Sequence, residues 1–221
     1  IQVVWTREDD LTQGPFRACS LNVCRGAIDT NGNLLALEHK VVCQEIRNQG
    51  GNDMKAGRMI SGGINTEYAI PNFKMSGVLR KLYIPVTYWR GVYHSTNCFA
   101  HESFIDELAR AAKKDPLDFR LGLLKDHKRY TQVLMTVAEK SGWYLPRKAD
   151  SGRGVSITER SGAFVAMVAE VQRVKDKVKI IRITAAIDVG TFVNPDIVKA
   201  QTEGGIIMGL LETFTGGYIS T

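Results

Sequence analysis

Gln201, Gly204, Gly205 and Met208 recur at i, i+3, i+4 and i+7 near the end of the chain, so they share one face of any helix formed there. On that face a carboxamide, donor and acceptor at once, borders a strip without side chains. A glycine inside a helix costs about 1 kcal/mol relative to alanine, so Gly204, Gly205 and Gly209 need an offsetting contact. Either of two contacts would supply it: tight packing against the preceding strands, or a flat ligand laid against main chain. The carboxamide on the rim tilts the balance towards the ligand.

The other chemistry-bearing side chains mostly exclude functions. His39, His94, His101 and His127 have no H-E-x-x-H or other metal-ligand spacing, which argues against a protein-ligated metal. Only His94, near Trp89 and Arg90, is kept as a pocket candidate. Cys19, Cys24, Cys43 and Cys98 are irregularly spaced and form no C-x-x-C, so they read as buried free thiols. Ser156 and Ser161 lack the G-x-S-x-G elbow of a serine nucleophile. Arg47 to Asn65 carries Gly50, Gly51, Gly57, Gly62 and Gly63, predicting a mobile loop or a backbone that passes close to something, without the order of a P-loop. The formal charge of +6 is dispersed, and its densest cluster, Lys125 to Arg129, includes Asp126 and reads as a solvated corner. No nucleic-acid partner is expected, since zinc-finger and RNA-binding-sheet motifs are missing. No apolar run approaches the roughly 20 residues of a membrane span.

The elements that must position these residues predict an α+β protein of 221 residues, with enough apolar sequence for one sizeable core or two small ones. Ile1 to Thr6 reads as a β-type run. Leu21 to Gln44 reads as a hairpin turning at Asp29-Thr30-Asn31-Gly32-Asn33, because Asn-Gly readily supplies positive φ. Phe73 to Thr87 is again rich in β-formers. A three-helix cluster follows. Its first helix carries Phe104, Ile105, Leu108 and Ala112, the second starts at Asp115-Pro116, and the third places Tyr130, Val133, Leu134, Val137 and Ala138 on one face before stopping at Ser141-Gly142. Beyond a polar linker, Lys148 to Gly154, come a strand pair, Phe164 to Val171 and Val178 to Val189, read as interior, and a helix from Asn194-Pro195 through Leu211.

Val193-Asn194-Pro195-Asp196 followed by Ala200-Gln201-Thr202-Glu203-Gly204-Gly205 and Gly209-Leu210 resembles the V-N-P…Q-x-E-G-G-x-x-x-G-L signature of molybdopterin-binding large subunits of the xanthine oxidase and aldehyde oxidase family. Three more segments agree in the same order. Trp5-Thr6-Arg7-Glu8-Asp9-Asp10 is similar to the family's W-T-R-E-E-D strand end. Trp89-Arg90 with Ala100 to Ala109 is similar to its W-R-S…F-A-x-E-S-F-I-D-E-L-A segment, and Gly152 to Val155 with Val165 to Val171 to the strand pair opening its next domain. The isoquinoline 1-oxidoreductase type of large subunit is the branch it most resembles.

The resemblance implies a pair of molybdenum-cofactor-binding domains, with residues 1–147 ending the first and 152–221 starting the second. It implies a hydroxylase that takes its oxygen from water and acts on an N-heterocycle or aldehyde. The cofactor would be molybdopterin, as its cytosine dinucleotide, contacted by Trp89, Arg90, Gln201, Gly204 and Gly205. Arg90 offers a rigid fork of donors to an oxygen-bearing group; the alternative is a salt bridge to Glu102. The implied partners are the remainder of the large subunit and a separate small subunit carrying 2Fe-2S clusters. Departures from the pattern matter too. Trp89-Arg90 continues as Gly91-Val92-Tyr93-His94 rather than serine-proline, and neither the family's G-x-G-E general base nor its upstream glycine loop occurs. No catalytic residue is therefore expected in this chain, and Glu170, Glu203 and Glu212 read as strand-pairing or helix-face residues. Both termini suggest an internal fragment, so export to the periplasm and retention in the cytoplasm both stay open. The competing expectation is a non-catalytic scaffold or interaction module that keeps the fold and binds no molybdenum.

Overall fold

Thr6 does not end a strand; it caps a helix. Its hydroxyl accepts from the Asp9 amide while the Asp9 carboxylate accepts from the Thr6 amide, a reciprocal capping box that opens α1 (Arg7–Gln13) and leaves Ile1 to Thr6 outside any strand. In the computed structural model, residues 1–46, 56–124 and 126–215 are described. Gly50 and Gly51 lie outside them, as does the segment after Thr215.

The hairpin forms as its turn residues dictate. β1 (Ser20–Ile28) pairs antiparallel with β2 (Leu34–Gln44), and Gly32 takes φ +73° in a turn where Asp29 accepts from the amides of Asn31 and Asn33. β3 (Asn72–Arg80) adds in parallel to β2, giving a sheet in the order β1-β2-β3. Along β2 the side chains of Leu37, His39, Val41 and Cys43 alternate inward, the period-2 pattern of a strand with one buried face.

Three helices then pack between the sheets. α2 (Tyr93–Ala111) lies on β1 and β2 and reaches β4; α4 (Lys128–Ser141) lies on β5 and β6; α3 (Pro116–Leu123) bridges α2 and α4. Asp115 caps α3 by accepting from the amides of Leu117 and Asp118 ahead of Pro116, and α4 ends at Gly142 with φ +67°. Where the residue pattern predicts two strands after the linker and the resemblance a further one at Gly152 to Val155, the structure has three antiparallel strands, β4 (Ser151–Arg160), β5 (Ala163–Val174) and β6 (Lys177–Asp188), so the linker ends at Asp150. Among the described residues only β5 is interior in this sheet. β6 is an edge strand among the described residues, with Val178, Ile181 and Ile187 exposed. One hydrophobic core joins Leu37, Ile105, Leu108, Leu117, Leu134 and Val137 to Val155, Ala166 and Val168, across residue 150.

The chain divides into two compact units, Ile1–Asp188 and the segment from Val189 onward. The second unit holds α5 (Pro195–Thr215), where the Asn194 carboxamide oxygen accepts from the amides of Asp196 (2.9 Å) and Ile197 (3.2 Å), so the cap expected at Asn194-Pro195 is present. No helix among the described residues is long and apolar enough to cross a membrane.

Candidate functional site

Trp89 and Arg90 stand in the loop that leads into α2, Trp89 half-buried and Arg90 exposed. The loop is strained. Gly91 takes φ +91°, and Val92, the residue before α2, takes φ +53° and ψ −135°, a region that a β-branched side chain occupies only when its surroundings hold it there. The Val92 amide donates to Trp89 O (2.7 Å) and the His94 amide to Gly91 O (3.1 Å), which closes the turn.

Beside this loop opens a cleft of about 470 Å³, lined by Arg58, Ser61, Asn65, Tyr88, Val92, His94, Glu159, Arg160 and Ser161. Its volume is that of a small-molecule site. Gly62 lets the wall come close: its φ is +88°, and a Cβ there would run into the carbonyl of His94, so the close backbone passage expected of this glycine-rich stretch is present at Gly62. A short 3-10 turn, Ala56–Ile60, replaces part of the expected loop.

The electrostatics of the cleft favour an acceptor-rich or anionic ligand. His94, 9% exposed, sits with Nε2 2.9 Å from Thr158 Oγ1. Burial first, then the nearby Arg160 charge, hold its pKa below the ordinary histidine value, so the ring is neutral at neutral pH. Among the described residues Glu159 is the one carboxylate of the lining, and it accepts from the Gly162 amide at 2.6 Å in the β4–β5 turn. The guanidinium groups of Arg58 and Arg160, the Asn65 carboxamide and the hydroxyls of Ser61, Ser161 and Tyr88 make up the polar donors.

Glu102, offered by the sequence as an ion-pair partner for Arg90, pairs instead with Arg120. Its carboxylate accepts from Arg120 Nε (3.0 Å), the Tyr68 hydroxyl (2.9 Å) and the Ile157 amide (3.0 Å). Glu170 bridges Arg153 and Arg182 across the second sheet, and Glu203 pairs with Lys199 one turn earlier in α5, which are the structural roles expected of both. In the basic cluster, Arg129 makes a two-pronged pair with Asp188 and covers the Phe164 ring. All four cysteines are free, but only Cys43 is buried as expected; Cys24 and Cys98 are half-buried and Cys19 is exposed. Burial is the first cause that pushes Cys24 and Cys43 up to about 11 and Cys98 to about 12, so these three are protonated thiols rather than nucleophiles.

Gln201, Gly204 and Gly205 lie in α5, in the second unit, with the glycines half-buried and Gln201 exposed. Trp89 and Arg90 belong to the first unit, next to the cleft. Of the lining residues, His94 was legible in the sequence as a pocket candidate, whereas Arg58 and Arg160 were not. No local spacing announces them, because each reaches the site from a different segment.

The class comes from the family models that this α+β chain matches: residues 1–122 and 95–215 each match a model described as molybdopterin cofactor-binding domain. The chain belongs to the molybdopterin cofactor-binding domains of xanthine oxidase-family large subunits. It is 37% identical to isoquinoline 1-oxidoreductase subunit beta of Brevundimonas diminuta, over 95% of this chain and 28% of that protein. It is 26% identical to a membrane-bound aldehyde dehydrogenase (pyrroloquinoline-quinone) of Gluconacetobacter polyoxogenes, over 95% of this chain and 31% of that protein. Quinoline 2-oxidoreductase from Pseudomonas putida 86 aligns in structure with a TM-score of 0.48 and 20% identity, covering 62% of this chain and 21% of that one. The chain thus spans 28% and 31% of the lengths of the two relatives compared by sequence.

Proposed function

We propose that this chain builds part of the cofactor pocket of a molybdenum hydroxylase that oxidises an N-heterocycle or aldehyde with oxygen from water, and that it is not catalytically complete alone. The observation that carries this is the donor-lined cleft beside Trp89-Arg90, in a chain matched along most of its length by molybdopterin-binding domain models. The donor set fits the group: a pterin dinucleotide is flat, rich in acceptors and anionic, and guanidinium forks, hydroxyls and a carboxamide are its natural complements. When bound, the cofactor supplies the redox metal that accepts two electrons from the substrate carbon.

The chain's own residues bind and orient. Arg90 presents parallel donors to a phosphate or carbonyl oxygen, and Trp89 offers a flat face. Gln201 supplies a carboxamide beside Gly204 and Gly205, whose missing side chains let a planar ring approach main chain. Neutral His94 donates or accepts one hydrogen bond at the cleft wall. The proton-accepting carboxylate comes from the rest of the intact protein, because the G-x-G-E segment that the resemblance assigns that role does not occur in this sequence. Residues 1–147 then end a first cofactor-binding domain and 152–221 start the second, the cofactor is the cytosine dinucleotide form, and electrons leave through a separate 2Fe-2S subunit.

Elemental analysis of the purified intact protein tests this. One molybdenum per chain is expected, with cytidine monophosphate released on acid hydrolysis of the cofactor and ¹⁸O from labelled water appearing in the hydroxylated product. A protein that carries no molybdenum overturns the proposal in favour of a non-catalytic scaffold; one that carries a quinone instead overturns it in favour of quinone-dependent oxidation.

A further inference from the structure

The Trp89–Val92 loop is held by two arginines from distant parts of the chain. Arg17 Nη2 donates to Arg90 O at 3.0 Å, and its Nη1 reaches Val92 O (3.4 Å) and Ser95 Oγ (3.3 Å), across sequence separations of 73 to 78 residues. Arg160 Nη1 donates to Gly91 O at 2.9 Å from 69 residues away. Three consecutive carbonyls, those of Arg90, Gly91 and Val92, thus each accept from a guanidinium. The Arg17 guanidinium also lies 6.0 Å from the centre of the Trp89 ring, at the outer reach of a cation–π contact.

A peptide with left-handed φ at both Gly91 and Val92 relaxes unless something outside it makes the relaxed form worse. The two arginines do so by satisfying carbonyls in the directions that only the strained form presents. Building on the reading of Trp89 and Arg90 given above, we propose that Arg17 and Arg160 are positioning residues that clamp this loop from both sides and fix how Trp89 and Arg90 face the bound cofactor or substrate. A fork is required at residue 17. One guanidinium spans the carbonyls of Arg90 and Val92, whereas a lysine ammonium is a point charge that serves one at a time.

The test uses the intact holoenzyme carrying Arg17→Met, Arg17→Lys or Arg160→Met, read by amide hydrogen exchange of the peptide covering residues 88–95, by melting temperature, by molybdenum content and by steady-state kinetics. Exchange at the Val92 and His94 amides is expected to rise at least tenfold in Arg17→Met. kcat/KM should fall about ten- to a hundredfold, the order expected when a positioning group lets reacting parts slip by about an ångström. Melting temperature and molybdenum content should hold, and Arg17→Lys should restore little. If Arg17→Met does not accumulate as folded protein, Arg160→Met, at an exposed side chain, tests the clamp by hydrogen exchange alone with one carbonyl released, since Arg160 also lines the cleft. Unchanged exchange overturns the clamp. Faster exchange with unchanged kcat/KM, or full rescue by lysine, overturns the positioning role. Failure of the cofactor reading shows elsewhere, as missing molybdenum in the unaltered protein, whereas the exchange comparison needs no cofactor.

Discussion

Arg120 lies fully buried against Glu102, with Nε 3.0 Å from Oε2 and Nη2 2.9 Å from the Glu102 carbonyl. The remaining donor edge goes to Asp106 Oδ1 (2.5 Å) and Pro116 O (3.0 Å), and Glu102 also accepts from Tyr68 and from the Ile157 amide of β4. One ion cluster therefore ties α2, α3 and the second sheet together where the hydrophobic core crosses between them. Removing one partner leaves the other charge uncompensated in the interior, which is costlier than never having the pair. Arg120→Met should lower unfolding free energy by about 3–5 kcal/mol in urea titrations. The double variant Glu102→Leu/Arg120→Met should cost clearly less than the sum of the two singles. Additive costs would show that the two side chains are not coupled.

Asp115 does two jobs with one carboxylate. Oδ1 accepts from the amides of Leu117 (2.8 Å) and Asp118 (3.3 Å), and both oxygens lie within 3.2 Å of Trp143 Nε1 beyond the end of α4. Asp115→Ala should cost about 1 kcal/mol for the lost cap and about 1–3 kcal/mol for leaving the indole N–H of buried Trp143 unpaired. Asp115→Asn keeps an acceptor and should recover most of the cap term. Chemical denaturation followed by tryptophan emission reads both. An alanine variant as stable as the parent would refute the double role.

How much of this was legible in the sequence depends on how local each signal is. Asp29 to Asn33, Asp115-Pro116, Ser141-Gly142 and Asn194-Pro195 carry their own turn and cap chemistry, and the structure places turns or helix ends at each. The start of α1 was also written locally, in the Thr6-to-Asp9 spacing, but the apolar run before it looked like a strand. β4 has few buried apolar residues, mainly Val155 and Ile157, so its alternation is faint without knowledge of its partner β5. β6 looked interior because its apolar residues fall on both faces, and a sequence does not show which edge lacks a neighbour. At the cleft, His94 was readable from its nearness in sequence to Trp89 and Arg90, which stand beside the cleft and not in its lining. Arg17 and Arg160 were not, because a contact across 69 to 78 residues leaves no trace in either local segment. Glu102 was offered as a partner for Arg90 for the same reason, since nothing local points to Arg120, 18 residues away.

His39 on β2 and His101 on α2 are both buried, 0% and 2% exposed, with ring centres 6.0 Å apart. His39 Nε2 lies 2.8 Å from Asn22 Oδ1 on β1, and the His101 ring is flanked by Tyr68 and Phe73. Among the described residues, His39 Nδ1 and both nitrogens of His101 have no hydrogen-bond partner. Burial first lowers both pKa values to about 4, helped at His39 by the neighbouring ring and at His101 by Arg120. The unfolded chain takes up these protons near pH 6.5 and the folded chain only near pH 4, so in that window the unfolded state binds more protons and stability falls as pH falls. Each ring contributes a slope approaching about 1.4 kcal/mol per pH unit, which summed over the window is a sizeable share of a stability of about 5–15 kcal/mol. Urea titrations from pH 7.5 to 4.5 should therefore show steep acid destabilisation. Replacing one titrating ring by a phenyl group in His101→Phe should remove about one proton from that slope while leaving carboxylate titration in place. Parallel curves for the parent and the variant between pH 6.5 and 4.5 would mean that His101 is already protonated, or hydrated, in the folded protein.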